Sequence, residues 1–468
     1  MRRPFGTPWA VALSLLVLAG STALAGAAAP GPLLRFPTGL NSQQANGHSG
    51  SPRLSDDSRY IAFQSDATNL VAGDTNGARD AFVFDRQTGD IERVSLTASG
   101  AEATDGACCF DQGIDISGDG RYVVFHSTSE DMDDVAGQNT FSDIFLRDRQ
   151  TGALTQVTHA ADGGAANGHS RYPGLSADGR HVLFQSDADN LVPNDTNGQT
   201  DVFVYDVAAQ TIRLISISAS GGVGNGLSET FFGGKLSTDG RYVVFASRAS
   251  NLVAGDGNAN GDVFIRDRDA DADGIFDEAG PGETLTTLIS VTPGGQPAAG
   301  FSYSPSISRN GRFVVFASTA PNLVADDTNA ALDVFVRDLT TGMTEIVSLR
   351  PDGSPGDGSS SYGVISNDGR IVILQSTAQL TDDAPNLFQN VFLRDRETGL
   401  TTLLSKGGGE AADLSSQSPM LSPDGRTAVF QSYASNLVPN DTNNVSDLFV
   451  VIVQPDFLLY LPTLSTGS

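Results

Sequence analysis

The chain has 468 residues, 39% of them hydrophobic, with 52 glycines and a net charge of −27 at a pI near 4.3. That length holds two or three ordinary domains or one large all-β domain. So acidic a surface speaks against nucleic acid, whose counterions only Lys and Arg displace, and against an anionic membrane surface; it suits solubility and the attraction of cations.

The first segment reads as a leader. Arg2 and Arg3 supply a positive start, Trp9 to Leu18 an apolar stretch, and Ala23-Leu24-Ala25 a small-residue cleavage site. Residues 1–25 are expected to form a signal peptide cut after Ala25, with retention as an uncleaved anchor the alternative. The apolar run is short of the roughly 20 residues that span a bilayer, and no later segment is long enough. The mature chain is thus expected to be secreted, or to reside in the periplasm or cell envelope, with no membrane span after cleavage. The two cysteines, Cys108 and Cys109, are neighbours. Adjacent Cα atoms lie ~3.8 Å apart, below the usual disulfide range, so a bridge would be strained; a strained local disulfide and two free thiols both stay open.

From residue 26 the sequence repeats. A turn S-x-D-G-R stands at 117–121, 176–180, 237–241, 366–370 and 422–426, with degenerate copies SDDSR at 55–59 and SRNGR at 308–312. The closing arginines of these seven copies are 56 to 71 residues apart. Each copy precedes a β-branched and aromatic run such as Tyr122-Val123-Val124-Phe125, then a polar loop and a second run such as Val202-Phe203-Val204-Tyr205. A D-R-x-T-G turn follows, as at 85–89, 148–152 and 395–399, then a third run ending in V-S or I-S. A Gly-rich loop and one short strand complete the unit. Four short strands bounded by Gly, Asp and Asn, with no amphipathic helical pattern, make each unit an antiparallel sheet. One such sheet cannot cover both its faces, so neighbours pack on each other, and radial repetition yields a propeller. A linear array would leave two large apolar ends. The expected fold is therefore all-β, a seven-bladed β-propeller of four-stranded antiparallel blades over residues 26–453. Leu33-Leu34-Arg35-Phe36 matches the end of a repeat, since Asn46-Gly47-His48-Ser49 parallels Asn167-Gly168-His169-Ser170. The N-terminal segment is thus expected to supply the outer strand of the last blade, and residues 454–468 a tail outside the pattern.

The S-P-D-G-R core at 422–426, continuing to Phe430 and Ser432, resembles the WD40-like (PD40-type) repeat of TolB-like propellers. The likeness covers nearly all of the mature chain and implies the propeller fold. That group includes periplasmic protein-binding partners, propellers attached to peptidases, and lyases, so it implies no single activity. TolB itself is similar to a six-bladed propeller with an extra α/β domain; this chain has seven units and no such domain.

Strand parity places the S-x-D-G-R and D-R-x-T-G turns on one face, the bottom, and the longer loops on the top. The top loop within a unit carries N-L-V-x-x-D-x-N-x-x-x-D. Its polar sets are Asp74, Asn76 and Asp80; Asp195, Asn197 and Asp201; Asp256, Asn258 and Asp262; Asp327, Asn329 and Asp333; and Asp441, Asn443 and Asp447. Units two and six depart, with Gly137 and Ala384 at the first position and Asn390 at the last in unit six. Such oxygens suit a hard cation, and equally Asx-turns; recurrence in five units favours the structural reading. A sharper cation candidate is the expanded bottom turn of unit four. Counting from Asp269, carboxylates fall at positions 1, 3, 5 and 9 (Asp269, Asp271, Asp273, Asp277), with Gly274 at 6 and the Ile275 carbonyl at 7. This resembles the calcium loop of EF-hand and dockerin-like proteins. Position 12 is Gly280, leaving Glu278 or Glu283 to supply the missing ligand. A structural Ca²⁺ is expected on Asp269, Asp271, Asp273, Ile275, Asp277 and Glu278.

No catalytic constellation stands out. There is no G-x-S-x-G elbow, the five histidines (His48, His126, His159, His169, His181) lack zinc spacing, and carboxylates are too many to pair as acid and base. The expected function is a non-catalytic scaffold that binds a protein or glycan partner through the top loops. The alternative is a carbohydrate-active enzyme, a lyase or glycosidase, with its site in the central funnel, where nothing in the sequence marks basic or metal-binding residues.

Overall fold

A computed structural model describes residues 29–106, 113–133, 140–231, 235–258, 260–278, 280–384 and 388–454. The expected leader at 1–25, the Cys108–Cys109 pair and the expected tail beyond 454 lie outside them. The described residues form seven four-stranded antiparallel sheets plus one small hairpin, with a single 3-10 turn and no α-helix. None of their helices is long and apolar enough to cross a membrane.

Blade one runs outward through Ser49–Leu54, Tyr60–Ser65, Asp80–Asp85 and Ile91–Arg93. Blades two to six repeat it over 114–156, 170–214, 228–288, 302–346 and 360–403. Blade seven combines Ser416–Leu421, Thr427–Ser432 and Asp447–Gln454 with the N-terminal strand Ala29–Phe36, in which Phe36 lies opposite Leu448 and Leu33 opposite Val451. The ring is thus closed by the outer strand that the repeat phase assigns to the N-terminus.

The S-x-D-G-R turn holds itself. Ser117 Oγ donates to Asp119 Oδ1 at 2.6 Å, which also accepts the Arg121 N–H at 2.9 Å, and Ser117 Oγ accepts the Tyr122 N–H at 2.9 Å. The chain reverses at Gly120, whose φ of 73° is left-handed, and a Cβ there would collide with the Tyr60 ring of the previous blade. In the degenerate copy Ser58 adopts this conformation itself, with φ 60°. The arginine then clasps the neighbouring D-R-x-T-G turn: Arg121 Nε and Nη2 donate to Asp148 at 3.0 and 2.7 Å. Arg59–Asp85, Arg241–Asp267, Arg312–Asp338 and Arg370–Asp395 repeat the fork.

Between blades the core is a ladder of phenylalanines from the second and third strands. Phe63–Phe82, Phe184–Phe203 and Phe316–Phe335 stack with centroids 5.5, 5.7 and 5.8 Å apart, all fully buried. Phe36 of the closing strand stacks on Phe84 at 5.3 Å and meets Phe63 edge-on at 6.1 Å, so closure is apolar as well as hydrogen-bonded.

Candidate binding face and central funnel

The bottom turns are tied to one another at most blade junctions. The S-x-D-G-R turns link to their neighbours by Asp56 N–H to Gly118 O, Gly118 N–H to Ala177 O, Asp178 N–H to Thr238 O, Thr238 N–H to Arg309 O, and Asn367 N–H to Pro423 O. Arg309 of blade five reaches across the axis, with Nε 3.3 Å from Asp56 of blade one and Nη1 donating to Leu175 O of blade three at 3.3 Å.

Inside, the innermost strands bring together side chains far apart in sequence. Arg53 (blade one) sits 3.9 Å from Asp115 (blade two), both near Lys235 (blade four), whose Nζ donates to Tyr172 O (blade three) at 3.2 Å. Lys235 is only 3% exposed, and burial, then the Arg53 charge, lowers it to about 7 against the pull of Asp115. Burial, then the Arg171 and Lys235 charges, depresses His126 to about 4, and neither ring nitrogen has a hydrogen-bond partner among the described residues. This basic cluster carries no repeat signature in the sequence. Its signal was a single position, two residues before the turn serine: Arg53, Asp115 and Lys235 are charged where Gly174, Ser306, Val364 and Met420 are small or apolar.

On the top face a pocket of about 370 Å³ opens between blades four and five, lined by Leu227, Glu229, Arg248, Phe301, Tyr303 and their neighbours. Phe301 is 49% exposed, and burial raises Glu229 while the Arg248 charge opposes the rise. An apolar wall with one carboxyl and one guanidinium can hold an aromatic or aliphatic group and orient it.

At the expanded turn, carboxylate oxygens of Asp269, Asp271 and Asp273 come within 4.8 Å of one another, and so do those of Asp271, Glu278 and Glu283. Asp271 thus bridges two triads. The Asp271 charge, the largest influence, raises Glu283. Asp269 is buried and accepts the Asp273 and Gly274 N–H groups at 3.0 and 3.3 Å, whereas Ile275 is exposed. Asp277 turns away: its Oδ2 accepts from Arg268 Nη2 and Nε at 2.6 and 2.9 Å. The donors that fit a hard cation here are Asp269, Asp271 and Asp273, with Glu278 and Glu283 beside them.

In the repeated top loops the asparagine is structural. Asn76, Asn197, Asn258 and Asn329 each accept the N–H two residues on at 2.7–2.9 Å and donate Nδ2 to the following connection, as Asn197 does to Gly224 O at 3.0 Å. The last aspartate accepts the hydroxyl of the V-S or I-S motif: Ser95 to Asp80, Ser216 to Asp201, Ser290 to Asp262 and Ser348 to Asp333, all at 2.6 Å. That serine in turn accepts the N–H of the residue after the aspartate, as from Val202 at 3.1 Å.

No protein-family model matches the chain, and no curated protein matches it. Among solved structures, it is similar to oligogalacturonate lyase from Vibrio parahaemolyticus, at 12% identity over 92% of this chain and 98% of that one, TM-score 0.51. It is similar to the β-propeller domain of the Trilobed protease from Pyrococcus furiosus, at 11% identity over 90% and 98%, TM-score 0.52. TolB from Acinetobacter baumannii also matches, at 14% identity over 78% of this chain and 65% of that one, TM-score 0.39; this chain spans less than two thirds of that protein. At these identities the likeness is one of architecture, a propeller shared with a lyase and a protease domain, and neither activity is carried with it.

Proposed function

We propose that the protein is an exported, non-catalytic propeller that binds a protein or glycan partner through its top face, with structural Ca²⁺ at the blade-four turn. The observation that carries this reading is the asymmetry of the ring: the bottom turns are tied to one another and crossed by Arg309, while the top holds the open pocket beside Phe301. Exposed apolar groups beside satisfied loops suit recognition. The test immobilises the folded mature chain and challenges it with cell-envelope proteins and a glycan array. Binding is expected to be lost in Phe301→Asp and kept in Met343→Asp, a substitution at an exposed site next to a bottom turn. Recovery of no partner, or equal binding by both variants, would overturn the reading.

One observation favours a second reading, a carbohydrate-active enzyme with a funnel site. Arg53, Arg171 and Lys235 put basic groups around the axis of a very acidic protein, where an anionic sugar would be drawn. Turnover of an acidic polysaccharide that disappears in a folded Lys235→Met variant would establish it in place of the first.

A further inference from the structure

The top loops of blades one, three, four, five and seven share one pattern but differ in what faces their carboxylates. In blade one Arg93, from the outer strand, places Nη1 2.7 Å from Glu102, 3.4 Å from Asp80 and 3.5 Å from Asp74, and donates Nη2 to Gly73 O at 3.1 Å. In blade seven Arg35, again from the outer strand, lies 3.1 Å from Asp441 and 3.7 Å from Asp447. The two arginines are equivalent: Arg93 pairs with Phe82 and Arg35 with Phe449, each two residues past the loop's last aspartate. The same register position holds Leu214 in blade three, Leu288 in blade four and Ile346 in blade five, and of the three first-position aspartates Asp256 of blade four is only half-buried. There the acidic pair is kept and, among the described residues, no guanidinium pairs with it.

The pairs of blades three and five are buried and incompletely bonded. Asp195 and Asp327 are 6% and 9% exposed, Asp201 and Asp333 fully buried. Asp195 Oδ1, Asp327 Oδ1 and Asp333 Oδ2 have no hydrogen-bond partner among the described residues. Burial of unpaired carboxylate oxygens is costly unless a cation or proton meets them. Burial first, and the neighbouring Asp201 charge second, lift Asp195 to about 6. A backbone carbonyl is also at hand: Asn194 precedes Asp195 with φ 67°, as Gly73 precedes Asp74 with φ 78°.

We propose that the Asp195–Asp201 pair of blade three and the Asp327–Asp333 pair of blade five each bind a hard divalent cation of the Ca²⁺ type, in the place that Arg93 and Arg35 fill in blades one and seven. The donors are carboxylate and carbonyl oxygens with no histidine or thiol, which selects Ca²⁺-like ions over softer metals. Two carboxylates balance one divalent charge.

Bound Ca²⁺ is counted by equilibrium dialysis of the folded mature chain carrying Asp271→Ala and Asp273→Ala, which removes the blade-four turn from the count. Asp195→Asn and Asp327→Asn are each expected to lower the count by one. Leu214→Arg, which sets a guanidinium at the register of Arg93, is expected to expel the blade-three ion and to hold or raise the thermal midpoint in EDTA; Ile346→Arg does the same in blade five. A count unchanged by Leu214→Arg and Ile346→Arg overturns the proposal. So does a count of zero at about 1 mM free Ca²⁺, a concentration at which weak extracellular calcium modules fill; that result assigns the pairs a shared proton instead.

Discussion

Replacing Arg93 by methionine isolates the charge problem of these loops. Methionine keeps much of the apolar stem but leaves Asp74, Asp80 and Glu102 facing one another. Asp74 and Asp80 have side chains 2% and 1% exposed, so water does little to separate them. At an effective dielectric near 20, each contact at about 3.5 Å is worth about 4–5 kcal/mol of attraction, much of it offset by desolvating the guanidinium. Stranding the buried partners is therefore expected to cost about 3–5 kcal/mol at neutral pH. Burial already raises Asp74 and Asp80 above the ordinary carboxylate range, with Arg93 pulling the other way, so its removal raises them further. A carboxyl raised in the folded state contributes stability that is fully present below its unfolded value, near 4, and lost as pH rises through its folded value. Urea unfolding in EDTA should show a small difference between Arg93→Met and the parent at about pH 4.5, widening to the full loss at about pH 7.5. The same loss at both pH values would refute the argument and reduce Arg93 to a packing residue.

In thermal unfolding, Ca²⁺ titrated into EDTA-treated protein is expected to raise the midpoint, through a gain in stability of about 2.7 kcal/mol per site at a hundredfold excess over Kd; Asp271→Ala with Asp273→Ala should remove the blade-four share, and an unmoved midpoint would remove calcium from that turn. Phe36→Ala, at the ring closure, should cost about 3–5 kcal/mol in urea unfolding, and a loss below about 1 kcal/mol would mean that the closing strand is held by its backbone alone. Gly120→Ser should cost more than about 1 kcal/mol through φ and the Tyr60 collision, whereas Ser58→Gly, at the equivalent turn position, should change stability by less than about 1 kcal/mol; equal effects would discount the clash. Ser216→Ala, which strips Asp201 of its 2.6 Å hydrogen bond and Val202 of its acceptor, should cost about 1–3 kcal/mol by the same measurement.

What could be read from the sequence is what repeats. Seven turns gave the blades, and the phase mismatch at Phe36 gave the closure, because a backbone solution used seven times writes itself seven times. The funnel could not be read this way, since Arg53, Asp115 and Lys235 each occur once and only the ring brings their blades to one axis. The blade-four turn fell between. Its spacing placed Asp269, Asp271 and Asp273 together, but spacing is silent on long-range competition, and Asp277 is claimed by the buried Arg268. The top-loop motif showed its asparagine role, an Asx-turn, and hid the arginines, because Arg35 and Arg93 lie on strands outside the motif.

Blade six shows what the loop turn itself requires. There Ala384 and Asn390 replace both aspartates, yet Asn390 Oδ1 still accepts the Ser405 hydroxyl at 2.8 Å, and Ser405 still receives the Val391 N–H at 3.1 Å. The hydrogen bonds of the last position are met by a neutral amide, so the turn does not need a carboxylate there. A second negative charge at Asp195 or Asp327 adds repulsion and, with its buried oxygen unpartnered, no hydrogen bond at that atom. One backbone therefore carries three electrostatic states: neutral in blade six, doubly acidic but met by an arginine in blades one and seven, and doubly acidic with an aliphatic residue at the arginine's register position in blades three, four and five. In the first two the chain itself removes the charge or sets a guanidinium against it. The third becomes complete with a cation from solution, and Leu214→Arg tests it by converting the third state into the second.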